Sequence, residues 1–122
     1  MKKLSLLGLS MLFSVLMVAQ NLPKAILNGS SGPGISLKAI AEASSLELSN
    51  DKDFQILSFI MSLPSAGGDI EFSSKDGHLT PEMVVELAKL RSKQRVSFSK
   101  IMVMNKETKE TREINPLYLK IE

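Results

Sequence analysis

His78 is the only imidazole in the chain, and there is no cysteine. Its nearest acids are Asp76, two residues before it, and Glu82, four after it. One imidazole beside a carboxylate could act as a general base or serve a hydrolytic triad. A metal centre needs more donors than this neighbourhood supplies. Serines are plentiful, yet none lies in the G-x-S-x-G elbow that exposes a nucleophile. An exported enzyme or small-molecule binder would therefore have to use His78 with Asp76. The plainer expectation is an exposed histidine beside an Asp76-Gly77 turn.

Other polar groupings carry less chemistry. Asp69 and Glu71 are two apart, so they share one face of a strand, and that face is expected to be wet. The glycine-rich stretch 28–34 lacks the Lys-Ser/Thr of a phosphate loop and opens no long helix, so it reads as a turn. Asn28-Gly29-Ser30 matches a glycosylation sequon, but turn chemistry explains it fully. No catalytic, cofactor-binding or metal-ligating residue is assigned on this basis.

Two groupings suit a partner surface. Lys89, Arg91, Lys93 and Arg95 place four cations within seven residues with no acid among them. They fit an acidic partner, or simply complement a helix C-terminus. Ile101-Met102-Val103-Met104 alternates, so if Ile101 and Val103 face the core, Met102 and Met104 face away from it. Methionine adapts its shape and suits contact surfaces; a covering layer would make the same pair core.

The N-terminus places this chemistry outside the cytoplasm. Met1-Lys2-Lys3 is basic, Leu4 to Val18 is an apolar run of fifteen residues, and Ala19 is small. A spanning helix needs about 20 residues. Residues 1–19 are therefore expected to be a cleavable secretory signal and 20–122 the working domain, with no membrane span after cleavage. A signal left uncleaved would anchor the domain instead. The whole chain carries 15 Lys plus Arg against 13 Asp plus Glu; Lys2 and Lys3 leave with the signal, so 13 face 13. That balance argues against a nucleic-acid partner. The lack of cysteine excludes disulfides and a lipid-modified cysteine, which favours a bacterial periplasmic or secreted protein held together by packing alone.

The elements that position these residues follow from periodicity and punctuation. Leu22 to Leu27 opens the domain as an edge segment containing Pro23. Ser36 caps a short helix over 37–43, with Leu37, Ile40 and Ala41 on one face. Phe54 to Leu63 is the strongest strand, and its two apolar phases imply cover on both faces for part of its length. Asp69 to Ser74 alternates with Ile70 and Phe72 inward. Thr80 caps the main helix, about 81–91, with Pro81 at its first position and Leu79 stapled on Val84. Its buried stripe is Met83, Leu87 and Leu90, with Val84 and Ala88. Arg95 to Met104 is a strand in which Phe98 and Ile101 are oddly spaced, so a bulge is expected near Ser99-Lys100. Asn105 to Glu110 turns a hairpin, and Thr111 to Ile121 returns as the last strand, with Leu117, Leu119 and Ile121 in phase and Pro116 at an edge or bulge. The expected fold class is α+β: an antiparallel sheet or sandwich-like domain with one main helix packed on it.

In order, GGDIEFSS (67–74), Leu79-Thr80-Pro81-Glu82, Leu87-Ala88-Lys89-Leu90, the strand of Val96, Phe98 and Ile101, and Leu117-Tyr118-Leu119-Lys120-Ile121 resemble the C-terminal periplasmic domain of the GldM/PorM family. That family belongs to the gliding-motility and type IX secretion machinery of Bacteroidetes. Pro23-Lys24-Ala25, the glycine loop and the Phe54 strand also fit. The resemblance implies a β-rich domain that is not an enzyme, uses no cofactor and meets envelope proteins, including ring components at the outer membrane. The apolar N-terminal segment holds no acid, unlike the family's proton-pathway helix, so a free-standing module is expected rather than a motor part. Lys93 stands where a glycine is expected, and Met102 and Met104 replace commonly polar outward positions. The partner-binding residues expected from these readings are Met102, Met104, Lys89, Arg91, Lys93 and Arg95.

Overall fold

The computed structural model describes residues 22–122. The expected signal, 1–19, lies outside the described residues. The fold is α+β. Its strands are β1 (Ala25–Leu27), β2 (Gly34–Ile35), β3 (Leu46–Leu48), β4 (Phe54–Leu63), β5 (Ile70–Ser74), β6 (Arg95–Asn105), β7 (Thr111–Ile114) and β8 (Leu117–Ile121). The helices are α1 (Leu37–Ala41) and α2 (Pro81–Ala88).

A six-stranded sheet runs β2-β8-β6-β4-β5, with β7 also on β6; β1 and β3 form a separate antiparallel pair. All pairings are antiparallel except β2 with β8. The long strands β4 and β6 form the centre. Phe59 and Phe98 meet there as a tilted pair with ring centroids 5.8 Å apart, a favoured aromatic geometry.

Cover lies on one face. Ala25, Leu27, Leu46 and Leu48 from the small pair, Ile40 of α1, and Met83 and Leu87 of α2 join the inward side chains of β4, β6 and β8 in one buried cluster. The turn chemistry that predicts α2 is present: the Thr80 hydroxyl accepts from the Met83 N–H at 3.3 Å, and Pro81 starts the helix. Two members of the expected stripe lie off it. Val84 is 39 % exposed and Ala88 is also exposed, so the staple partner Leu79 packs into the core without Val84. Ser36 caps α1 by accepting from the Ala39 N–H at 3.1 Å, but of that helix only Ile40 is buried, not Leu37 or Ala41.

The two apolar phases of β4 have a different cause from the one expected. In β4, inward residues run Phe54, Ile56, then Phe59, Met61, Leu63. The step of three between Ile56 and Phe59 marks an irregularity rather than cover on both faces. β6 takes the same step from Phe98 to Ile101, with Lys100 at φ 48°, as the odd spacing predicted. The last strand takes it from Ile114 to Leu117 and is broken at Asn115-Pro116, giving two strands where one was expected. β7 and β8 nevertheless hold one register against β6, since Ile101 faces Ile114 and Phe98 faces Leu117. Proline has no N–H to donate, so the break falls where the ladder is already irregular. β2 and β3 are short strands that the sequence pattern did not announce.

Candidate functional site

His78 sits in a compact turn. The Ser74 hydroxyl, buried in an otherwise apolar interior, donates to the His78 carbonyl (2.8 Å) or to Asp76 oxygens (3.1 and 3.3 Å). Asp76 Oδ1 accepts from the His78 backbone N–H at 2.8 Å. That bond, partly offset by desolvation and aided by the imidazole and the Ser74 hydroxyl, holds the Asp76 carboxyl below its ordinary range. The Nδ1 of His78 is 3.5 Å from Asp76 Oδ1, and both side chains are mostly exposed. The residue types of a triad are present within five positions, but the hydroxyl is directed at the Asp76 and His78 carbonyls and the Asp76 carboxylate and bonds no imidazole nitrogen. The backbone of the same segment does structural duty. Gly77 O accepts from Leu46 N–H at 2.8 Å, Ser44 O accepts from Leu79 N–H at 3.0 Å, and His78 bridges Ser45. The turn ties the entrance of α2 to β3. Among the described residues no group of three or more His, Asp or Glu is placed to hold a metal ion.

The second candidate is the sheet face opposite the core. Met102 and Met104 are half-buried, and their register partners are Ser58 and Gln55 on β4 and Glu113 and Thr111 on β7. Further along the face, Ile60 stands opposite Ser99 and Ser73, and Tyr118 opposite Ser97, which in turn faces Ser62. Among the described residues nothing covers this face. An antiparallel sheet can keep one face wet, and here it is a mixture of serines with four large apolar or aromatic groups.

The basic run divides. Arg95 opens β6 and shares its outward side with Met102 and Met104. Lys89, Arg91 and Lys93 do not join them; they lie in the turn between α2 and β6. Lys89 is the residue closing α2, and its Nζ lies 3.3 Å from Glu86 Oε1. Lys93 takes φ 73°, the left-handed backbone for which a glycine is the default, and its N–H donates to Ile121 O at 2.7 Å. The six residues expected to form one surface therefore fall into two: Met102, Met104 and Arg95 on the open face, and Lys89, Arg91 and Lys93 on the turn.

Tyr118 and Lys120 were not singled out by sequence pattern, yet both stand on the open face. The signal for Tyr118 was available: the only tyrosine lies between two inward leucines. Lys120 joins Arg95 only through the register of β6 with β8. Together with Ser62, Ser97, Pro33 and Pro64 these residues line a cleft of about 520 Å³. Gly32 lets the neighbouring loop lie close against β8: its φ is 91°, and a Cβ there would lie 2.9 Å from the Tyr118 carbonyl oxygen. Pro33 O accepts from the Lys120 N–H at 2.7 Å, which fixes that wall.

No protein-family model matches this chain, and no curated protein does. No helix of the described residues is long and apolar enough to cross a membrane.

Proposed function

We propose that this chain is an exported protein-binding module of the bacterial envelope, docking through the open face of its sheet and using no cofactor. One observation carries the reading: Met102, Met104, Ile60 and Tyr118 stand on a sheet face that no described element covers, among serines that let it remain solvated when free. Three of these groups are half-buried and Tyr118 is exposed, and apolar groups gathered on an uncovered face mark an interaction site. Methionine side chains can repack against a partner without a fixed shape.

The likeness to the GldM/PorM periplasmic domain and the signal-type segment at 1–19 support a periplasmic or secreted location. They also support a partner in the gliding-motility or type IX secretion envelope assembly, including its outer-membrane ring. The chemistry of the open face supports protein contact rather than turnover.

The test is crosslinking in the native envelope with a photoreactive residue at position 102, and a matched one at Val85, which is exposed on α2. Crosslinks to one defined envelope protein from 102 but not from 85 are expected. Met102→Glu should abolish that contact while leaving thermal unfolding nearly unchanged. Equal crosslinking from both positions, or a Met102→Glu variant that unfolds, would refute the assignment of this face.

A further inference from the structure

Two like charges face each other where the open face meets its end. Arg95 and Lys120 are direct register partners on neighbouring antiparallel strands. Both are exposed, and neither belongs to an ion pair among the described residues. Like charges directly opposite on adjacent strands repel and weaken the pairing. An anion held between them would turn that repulsion into attraction. A sequence that breaks a local rule with no ion pair to relieve it points to a functional site, and Asp69, the one acid lining this cleft, pairs with neither cation among the described residues.

The rest of the cleft narrows the class of anion. The row beside the two cations runs Glu71, Ser62, Ser97, Tyr118 across β5, β4, β6 and β8, with the carboxylate at the end away from β8. Pro33 and Pro64 stand on its walls with Asp69. Its volume, about 520 Å³, falls within the roughly 300–1,000 Å³ usual for small-ligand sites. It crosses two interstrand spacings, about 10 Å in all, which is room for a ring and its substituents.

Each group sets a requirement. The Arg95 guanidinium is a rigid fork matched to a carboxylate. Tyr118 is 67 % exposed and offers a ring face for stacking. The serine hydroxyls both donate and accept, whereas an ionised Asp69 only accepts, so the ligand must bring hydroxyl or N–H donors of its own. A bare inorganic anion would use the cations and nothing else. An aromatic acid would stack but leave Asp69 facing no donor.

We propose that this cleft binds an anionic sugar of the uronic-acid class, its carboxylate between Arg95 and Lys120, its ring on Tyr118 and its hydroxyls toward Ser62, Ser97 and Asp69. The site recognises and does not react; no bond is made or broken. It shares Tyr118 with the proposed docking face but uses none of Met102, Met104 or Ile60.

The experiment is titration of the isotope-labelled full chain, followed by backbone amide NMR. The probes are a short oligogalacturonate, a neutral maltotriose, sodium sulfate and a triglutamate peptide. The uronate should shift Ser97, Tyr118 and Lys120 amides and bind at least about tenfold more tightly than the other three. Arg95→Gln, Lys120→Gln and Tyr118→Ala should each weaken it by about tenfold or more. The two charge-removing variants should unfold at the same or a higher temperature, since the cross-strand repulsion is relieved. Equal binding of triglutamate would make the cleft an acidic-peptide site, and equal binding of sulfate would make it a simple anion seat. Either result, or uronate binding that survives all three variants, overturns the proposal.

Discussion

The two faces of the β4–β6 sheet differ in how much of their character packing decides. On the core face Phe59, Met61, Phe98, Ile101 and Val103 are 0–1 % exposed, closed over by α1, α2 and the β1–β3 pair. On the opposite face of the same strands Ser58, Ile60, Ser62, Ser97, Ser99, Met102 and Met104 are all only half-buried. Apart from one step of three in each strand both faces alternate, but the core face is large and apolar throughout while the open face mixes serines with Ile60, Met102 and Met104. The difference is that burial removes choice: a closed core tolerates little change in volume, whereas an open face can exchange one residue for another at small cost in stability. Function can therefore be written on the open face, and the fold on the closed one.

The sharpest way to break that comparison is to shorten matched side chains on β6. Phe98→Ala should lose about 3–5 kcal/mol of stability through the cavity left against Phe59. Met102→Ala should lose under about 1 kcal/mol, as is usual for surface positions. Urea unfolding of both proteins gives the two values. Comparable losses would mean that the supposed open face is covered in the native protein.

A smaller effect is expected at Ser74, the one buried polar residue among those described. Ser74→Ala leaves the Asp76 and His78 carbonyls without that donor and should cost about 1–2 kcal/mol. His78→Ala should cost much less, because the imidazole makes only an exposed 3.5 Å contact with Asp76 while the backbone of His78 makes the shorter bonds. Paired denaturation curves would show it, and a reversal of that order would mean that the imidazole matters to the fold.

Lys93→Gly should raise stability slightly, by about 0.5 kcal/mol. Relief of the left-handed strain, about 1–2 kcal/mol for a non-glycine residue, exceeds the entropy glycine adds to the unfolded chain. Differential scanning calorimetry would resolve the rise in melting temperature, and a fall would place the Lys93 side chain in a stabilising contact.

The smallest effect concerns pH. Because the folded-state pKa of Asp76 is lowered, its contribution is present above the ordinary aspartate range and is lost as pH falls through the folded value. Asp76→Asn should therefore flatten the acid side of a stability–pH curve slightly and leave neutral pH nearly unchanged. A variant whose acid dependence matches the parent would show that the carboxylate bond contributes nothing.

Much of the architecture was readable before any fold was known. Thr80-Pro81 starting α2, the hairpin at 105–110, the inward phase of Leu117, Leu119 and Ile121, and the bulge at Ser99-Lys100 are matters of local backbone chemistry and period, and these a chain carries in consecutive residues. Even the left-handed backbone at Lys93 was foreshadowed by the glycine expected there. The step of three in β4 was equally visible, but without the register of its neighbours it resembled cover on two faces.

What the chain alone determined, then, is where it turns, where it caps and which residues alternate, because these depend on neighbours a few positions apart. Only the tertiary structure decided that Arg95 meets Lys120, that Lys89 to Lys93 part company with Met102, that β2 runs parallel to β8, and which face of the sheet stays open. The physical reason is that register and layering join residues tens of positions apart. The pleat repeats every two residues and fits many registers equally well. The choice among them is made by the collective burial of the core.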